Sequence, residues 1–214
     1  MDTYTMPDWF RSVLLTIDVQ HDFTVPKAPA FISGTLEIVP NIQRLLTAYR
    51  STNLPIIHII RLYFANGSNA DLCRRKRLER GANIVVPGTE GSQIVNGLLP
   101  SASTSLDPEI LLRGELQNVG NQEWIIYKPR WGAFYKTRLE RHIRDLGINT
   151  VVFSGCNFPN CPRTSIYEAS ERDFRIAVVT DAISGVYDRG IEELLNIGVT
   201  CITTEQCVKK MKFL

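Results

Sequence analysis

Histidine and closely spaced metal-ligand pairs are scarce in this sequence. Only three histidines occur among its 214 residues (His21, His58 and His142), and neither a CxxC nor an HxxxH pattern is present. Zinc sites and dithiol redox sites are usually built from such pairs. The sequence therefore disfavours a zinc knuckle and a dithiol redox protein.

Long apolar runs and a strong net charge are also missing. No apolar run approaches the ~20 residues needed to span a bilayer, and the polar first eleven residues do not resemble a signal peptide. The net charge of +2 gives no particular attraction to nucleic acid or to anionic membranes. The five cysteines are an odd number scattered along the chain, which is typical of free thiols in a reducing compartment. We therefore expect a cytoplasmic protein that binds neither nucleic acid nor membranes.

Two glycine motifs that mark common enzyme classes are absent. No GxGxxG follows the first apolar run, which argues against a nicotinamide dinucleotide site. No GxSxG occurs either, which argues against a serine hydrolase of the α/β type.

What the sequence does contain is a series of short apolar runs that alternate with helical patterns. The predicted strands lie at 13–19, 55–63, 124–128, 149–155, 174–182 and 200–204. Strands separated by helices predict a parallel sheet covered on both faces. We therefore predict one domain over residues 1–214, an α/β fold of three layers (α/β/α) with a doubly wound, six-stranded parallel sheet.

The stretch from 64 to 122 shows little periodicity, and its role is not predicted. It contains the basic run RRKR at 74–77. A solvated helix face or a lid segment is the favoured interpretation of this run, with a phosphate or nucleic-acid patch as the alternative.

Ligands of such sheets bind beyond the carboxyl ends of the strands. Asp18 and Lys128 lie at these ends of two predicted strands. Each taken alone could be structural, because an Asp can cap a loop and a Lys can lie at the surface.

The stretch SGCNFPNCPR (154–163) follows the fourth predicted strand and allows several interpretations: a metal knuckle, a redox pair, a structural turn or a nucleophile. Pro162 is suited to be the first residue of a helix, which places Cys161 at the helix cap. There the helix dipole is expected to lower the pKa of the thiol. An acid, a lysine and a cysteine that meet at one edge of the sheet favour a nucleophile, its base and an electrostatic partner.

The order and spacing of five segments resemble the isochorismatase-like cysteine hydrolases, a group that includes nicotinamidases and amidohydrolases of ureides and carbamates. The segments are IDVQHDF, VPGTEGSQI, YKPRWGAFYKTRLERHIRDLGI, VVFSGCNFPNCPRTSIYEASERDF and VVTDAISG, within about 12–205. By this resemblance Asp18 is the catalytic base, Lys128 the catalytic lysine and Cys161 the nucleophile. It also implies that the backbone N–H groups of Asn157 and Cys161 bind the oxyanion, and that the Cys156–Asn157 peptide is cis.

Two departures from the family pattern shape the expected site. The Asp-x-His metal pattern of nicotinamidases is missing after the second strand, so we expect no catalytic metal and no cofactor, and we do not expect nicotinamide as substrate. The other departure is the proline-rich sequence around Cys161. Phe23, Trp131 and Phe158 are candidate pocket walls. Arg61 and Arg130 are candidates for binding a substrate carboxylate, although a surface role is favoured for each.

The predicted function is therefore hydrolysis of a C–N bond in a small amide, carbamoyl or lactam compound through a thioester on Cys161. The alternatives are a vinyl-ether hydrolase of the isochorismatase type and a non-catalytic member that uses the pocket for binding. The resemblance further implies a homodimer or homotetramer.

Overall fold

The computed structural model describes residues 2–212, so residues 1, 213 and 214 of the predicted domain lie outside it. The strands are β1 (Ser12–Ile17), β2 (Ile56–Ile60), β3 (Gln117–Gly120), β4 (Glu123–Tyr127), β5 (Thr150–Gly155), β6 (Arg175–Ile183) and β7 (Thr200–Ile202). The helices are α1 (His21–Thr24), α2 (Thr35–Ser51), α3 (Leu72–Glu79), α4 (Pro108–Leu112), α5 (Leu139–Asp145), α6 (Cys161–Ser170), α7 (Asp188–Asn196) and α8 (Thr204–Met211).

The strands form one sheet in the order β3-β4-β2-β1-β5-β6-β7. The chain builds outward from β1 to one side through β2 and β4, and then to the other side through β5, β6 and β7. All neighbouring pairs are parallel except β3 and β4. This arrangement confirms the predicted doubly wound α/β fold, and it places the carboxyl ends of β1, β2, β4 and β5 side by side.

The predicted strand count was too low by one. All six predicted strands are present, but β3 adds a seventh that runs antiparallel at the edge of the sheet. Its sequence QNVG contains one apolar residue, and none of its four residues is fully buried. An edge strand of this kind is held by its backbone hydrogen bonds to β4, so it leaves no hydrophobic pattern in the sequence.

Both faces of the sheet are covered by helices, as the unbroken burial of its central strands requires. Every residue of β1, β2 and β5 is buried. On one face the core includes apolar residues of α2, α4 and α8, and on the other it includes those of α5, α6 and α7. Burial of the apolar residues of α2 between sheet and α8 removes its hydrophobic stripe from water, which is the main term that holds such a layer in place.

A third, smaller apolar cluster lies apart from these two cores. It joins Phe23 and Cys156, which come from the segments after β1 and β5, to Tyr63 after β2 and to residues of the stretch for which no role was predicted: Ala70, Leu78, Ile84 and Val85. Part of that stretch therefore packs over the edge of the sheet where the candidate site lies. Within residues 2–212, the helices are all too short or too polar to cross a bilayer.

Candidate active site

Backbone hydrogen bonds at the carboxyl ends of the strands fix the positions of the predicted site residues. The N–H of Asp18 donates to the carbonyl of Ile59 over 2.9 Å, and the N–H of Lys128 donates to that of Ile60 over 3.0 Å. Each bond continues the sheet ladder by one step beyond the strand. The chain turns sharply at Asp18, whose φ of 53° lies in the left-handed region that non-glycine residues rarely adopt. A strained Asp at a strand end is typical of a functional position.

The structure brings Asp18, Lys128 and Cys161 together. The Nζ atom of Lys128 lies 2.9 Å from Oδ2 of Asp18 and 3.3 Å from Sγ of Cys161. A third N–H of the ammonium donates to the carbonyl of Arg130 over 3.3 Å. An ammonium has three donors, so these contacts account for all of them. Lys128 is only 1% exposed, which means that its charge is balanced by these partners and not by water.

Charge within this group determines how each member titrates. Burial alone would lower the pKa of Lys128, but the negative charge of Asp18 and the neighbouring Cys161 outweigh it, so the pKa is raised and the lysine stays protonated. Burial raises the pKa of the Cys161 thiol well above its usual range, and the charge of Asp18 raises it further, while Lys128 lowers it. The side chain of Cys161 is therefore a thiol at rest, not a thiolate.

This result reverses the prediction made from the helix cap. The helix begins one residue earlier than predicted: Asn160 is its cap residue, Cys161 is the first residue of α6, and Pro162 follows in the first turn. The dipole of the helix favours a thiolate by at most a modest amount. Desolvation next to the carboxylate of Asp18 is the larger effect. Because Oδ1 of Asp18 is buried and accepts no hydrogen bond from any residue between 2 and 212, an acceptor for the thiol proton is available.

The turn between β5 and α6 carries the two candidate oxyanion donors. Neither the N–H of Asn157 nor that of Cys161 donates a hydrogen bond to another residue that the structure describes. Both residues line the same cavity. The family resemblance implied a cis peptide between Cys156 and Asn157, whereas all peptide bonds that the structure describes are trans.

One cavity borders the three residues, and the space between its walls, counting the part open to solvent, is about 350 Å³. Its walls are formed by Asp18, Phe23, Ile32, Arg61, Tyr63, Asp71, Arg74, Lys128, Arg130, Trp131, Cys156, Asn157, Asn160 and Cys161. Phe23 and Trp131 are thus at the cavity, where they were expected.

Phe158 was predicted as a third aromatic wall, and that prediction is wrong. Its ring is fully buried and lies edge-on to Tyr187, with ring centroids 5.4 Å apart. It also packs so closely on Gly190 that a Cβ atom there would lie 2.4 Å from the ring. The ring therefore belongs to the core beneath α7. A position in a turn does not reveal on which side its side chain lies, so the sequence could not decide this.

The wall formed by the chain after β2 contains residues that the sequence analysis missed or misjudged. Arg61 is not at the surface: its guanidinium is buried and donates to Oδ2 of Asp71 over 3.1 Å and to the carbonyl of Lys128 over 2.8 Å. Tyr63 donates its hydroxyl to the same Oδ2 over 3.0 Å. The charge on Arg61 is therefore already paired, and it holds Asp71 in the cavity wall.

Arg74, the first residue of the basic run, lies over the ring of Trp131 with 5.3 Å between Cζ and the ring centroid. The run as a whole is thus not a uniform solvated face, since Arg74 lines the cavity whereas Lys76 is exposed. Arg130 also lines the cavity, and its side chain is 46% exposed.

The residues present do not fit a metal ion at the position after β2. The guanidinium of Arg61 there repels a cation and already pairs with the carboxylate of Asp71. Both ring nitrogens of His58 are engaged, one with Thr16 over 2.7 Å and one with Glu123 over 2.8 Å. Within residues 2–212, no group of three or more His, Cys, Asp or Glu side chains is placed to hold a metal ion.

The model of the isochorismatase domain matches residues 12–107 and 107–206. The chain belongs to the isochorismatase family. The resemblance inferred from its five segments is thereby confirmed.

Three relatives illustrate the range of the isochorismatase family. A probable inactive nicotinamidase of Arabidopsis thaliana is 27% identical over 92% of this chain and 95% of its own length. A ureidoacrylate amidohydrolase of Methylobacterium radiotolerans is 24% identical over 89% of this chain and 72% of its own. The crystal structure of an isochorismatase family protein from Desulfovibrio vulgaris is 30% identical, with a TM-score of 0.80, and the match covers 94% of this chain and 98% of that one. The predicted enzyme class, a hydrolase of C–N bonds other than peptide bonds, is supported by the amidohydrolases in the family.

Proposed function

We propose that this isochorismatase-family protein is a cysteine-dependent amidohydrolase that cleaves a C–N bond of a small amide, carbamoyl or lactam compound. The observation that carries the proposal is the contact of Lys128 with both Asp18 and the sulfur of Cys161 in a buried cavity. An acid, a cation and a thiol in contact form the set that nucleophilic acyl transfer requires. A ureidoacrylate amidohydrolase among the relatives acts on a substrate of the proposed class.

The first half of the reaction begins with the thiol protonated. Asp18 accepts the proton of Cys161 as the sulfur forms a bond to the carbonyl carbon, so that charge separation and attack occur together. Lys128 stays protonated and stabilises the negative charge that moves from the carboxylate to the sulfur. The oxygen of the carbonyl becomes an oxyanion, to which the N–H groups of Asn157 and Cys161 donate. Asp18 then gives its proton to the leaving nitrogen, and a thioester remains on Cys161.

The second half of the reaction returns the enzyme to its starting state. A water molecule attacks the thioester, Asp18 removes its proton, and the same two N–H groups bind the second oxyanion. The carbon–sulfur bond breaks, and the sulfur regains its proton from Asp18.

The name of the Arabidopsis relative raises the alternative of a non-catalytic member. The contacts of Asp18, Lys128 and Cys161 in this chain argue against it. A binding protein would have no need of a buried lysine that is balanced only by a carboxylate, a thiol and one carbonyl, because burying such charges is costly.

A panel of small primary amides, ureido acids and lactams tests the proposal, with release of ammonia or carboxylate as the readout. We expect Cys161→Ala to abolish turnover, and the exposed Cys73, changed to Ala, to serve as the matched control that keeps it. Mass spectrometry of acid-quenched enzyme should show the acyl group on the peptide that contains Cys161. Retained turnover in Cys161→Ala excludes the thioester route.

A further inference from the structure

Asp71 lies at the N-terminal cap position of α3 but does not cap the helix. It is the residue before α3, and an aspartate there normally accepts hydrogen bonds from the first free N–H groups of the helix. Its side chain makes no such bond. It lines the cavity instead, and Arg61 and Tyr63 both bind its Oδ2 atom. The carboxylate of Asp71 therefore lies in the cavity wall, and the helix has no side-chain cap.

The second oxygen of Asp71 is left without a partner. Oδ1 is shielded from solvent and accepts no hydrogen bond from any residue in the described part of the chain. The Nε atom of Arg130 lies 4.0 Å from Oδ1, beyond hydrogen-bond distance. A buried carboxylate oxygen without a donor is costly, so a donor from outside the protein would stabilise it. An N–H group of a bound molecule supplies such a donor.

Among the residues that the structure describes, Arg74 is a cation without a charged partner, as Oδ1 of Asp71 is an acceptor without a donor. Its guanidinium lies over Trp131, and within residues 2–212 its side chain makes neither a hydrogen bond nor an ion pair. The other charges of the cavity are largely accounted for, since Lys128 pairs with Asp18 and Arg61 pairs with Asp71. Arg130 donates to the carbonyls of Asn69 and Pro129. The cavity therefore carries an excess of positive charge, with the Arg74 guanidinium free to bind an anion.

Together, and resting on the proposed function, these groups indicate which molecules the enzyme selects. We propose that Asp71 and Arg74 form a recognition subsite in which Oδ1 of Asp71 accepts a hydrogen bond from an N–H of the substrate and Arg74 binds a substrate carboxylate. The substrate class is a small carboxylic acid that also carries an amide or ureido group. Asp71 and Arg74 are specificity-determining residues, because neither contacts the sulfur that reacts.

Iodoacetate and iodoacetamide test the role of Arg74, since they differ only in the carboxylate and react in the same way. In each case a sulfur–carbon bond forms, the carbon–iodine bond breaks, iodide leaves and the thiol proton passes to a base. The rates are measured by mass spectrometry on the peptide that contains Cys161, because other thiols of the chain also react. The readout is the ratio of the iodoacetate rate to the iodoacetamide rate.

We expect Arg74→Gln to lower this ratio about tenfold, the usual value of a hydrogen-bonded ion pair in a partly buried site. Lys76→Gln is the matched control: it removes the same charge from an exposed position of α3, and the ratio should stay within about twofold of the wild-type value. Equal ratios in the two variants overturn the role of Arg74 and leave the proposed nucleophile intact. Failure of both reagents to modify Cys161 counts against the nucleophile, and the subsite falls with it.

Calorimetric binding to Cys161→Ala tests Asp71 without any need for turnover. The probes are succinamate, which has amide N–H groups, and N,N-dimethylsuccinamate, which has none. We expect succinamate to bind about tenfold more tightly, and Asp71→Asn to remove most of this difference. Tyr63→Phe, which removes one of the two donors to Oδ2 and leaves Arg61 in place, should keep the preference. If the preference for succinamate is as strong in Asp71→Asn as without this change, it reflects the shape of the cavity, and the role assigned to Asp71 is overturned. The role is also overturned if succinamate does not bind to a folded Cys161→Ala protein.

Discussion

The N–H of Cys156 donates to the carbonyl of Ile17 over 2.7 Å, and this bond joins the turn of the candidate nucleophile to the strand that ends at the candidate base. The close approach depends on Gly155, which has a φ of 115°. A Cβ atom at this position would lie 2.3 Å from the carbonyl oxygen of Ile17 and 2.4 Å from its nitrogen. Only glycine combines this φ with this proximity.

Gly155→Ala should therefore separate β5 from β1 at the site. We expect a loss of at least ~2 kcal/mol in the free energy of unfolding and a loss of most activity, because Cys161 moves relative to Asp18. Urea denaturation and turnover measure the two effects. The control is Gly147→Ala, at which a Cβ atom meets nothing within 4 Å. Its positive φ of 74° costs some stability, but activity should be retained. Equal losses of activity in the two variants contradict the proposed role of the β1–β5 contact.

Asp18→Asn should uncouple the reactivity of the thiol from catalysis. The charge of Asp18 raises the pKa of Cys161 and that of Lys128 lowers it, so removal of the carboxylate lowers the thiol pKa. We expect faster alkylation of Cys161 by iodoacetamide at pH 7 than in the wild-type protein, together with loss of turnover, because no base remains to carry the proton. The measurement is the alkylation rate against pH for the peptide that contains Cys161.

The control for this experiment is Asp145→Asn, which removes an exposed carboxylate from α5. Its alkylation profile should match that of the wild-type protein. If Asp18→Asn shifts the profile toward higher pH, then Asp18 favours the thiolate, and the assignment of the resting thiol is wrong.

The order of elements and the three central site residues could be predicted because each has a local signal. Apolar runs mark the buried strands, and Asp18, Lys128 and Cys161 lie at the ends of such runs. In contrast, β3 and the role of Asp71 have no local signal. The former is held by backbone pairing to β4, and the latter depends on contacts with Arg61 and Tyr63 that only the folded chain creates.

The predictions of the Cys161 pKa and of the Phe158 position were wrong for a related reason. The sequence shows a cysteine at a helix start, but it does not show how deeply that cysteine is buried or that the carboxylate of Asp18 lies beside it. Direction within a turn is equally hidden, since adjacent residues such as Asn157 and Phe158 can lie on opposite sides of the backbone. For the cavity wall after β2, the one available sequence signal was the segment 71–77, in which an Asp precedes a basic run.

Phe158→Leu should affect stability and not selectivity. Its ring is buried against Tyr187 and away from the cavity, so the smaller side chain leaves a partly filled space that costs about 1–2 kcal/mol. The ranking of substrates in the amide panel should stay the same. Trp131→Leu is the comparison, since Trp131 lines the cavity and should change the ranking. A changed ranking in Phe158→Leu shows that its ring reaches the substrate after all.

Glu123→Gln should destabilise the protein in a pH-dependent way. Glu123 is 1% exposed and accepts hydrogen bonds from Arg50 at 2.7 and 2.9 Å, with His58 at 2.8 Å. Burial alone would raise its pKa, but Arg50 and His58 lower it from 4.5 to about 2. The folded protein therefore favours the ionised form, and the resulting stability is present above pH 4.5 and is lost as the pH falls toward 2. The shift corresponds to about 3 kcal/mol at pH 7.

Urea denaturation of the wild-type and Glu123→Gln proteins between pH 7 and pH 3 measures this contribution. We expect the difference in unfolding free energy to be about 3 kcal/mol at pH 7 and to shrink by about half at pH 3, because the carboxyl of the unfolded chain is then mostly protonated while that of the folded protein is still mostly ionised. Glu115→Gln, which changes an exposed carboxylate beside Arg113, should show a difference near zero at every pH. A difference that stays constant with pH means that the shape of the Glu123 side chain, and not its charge, stabilises β2 and β4.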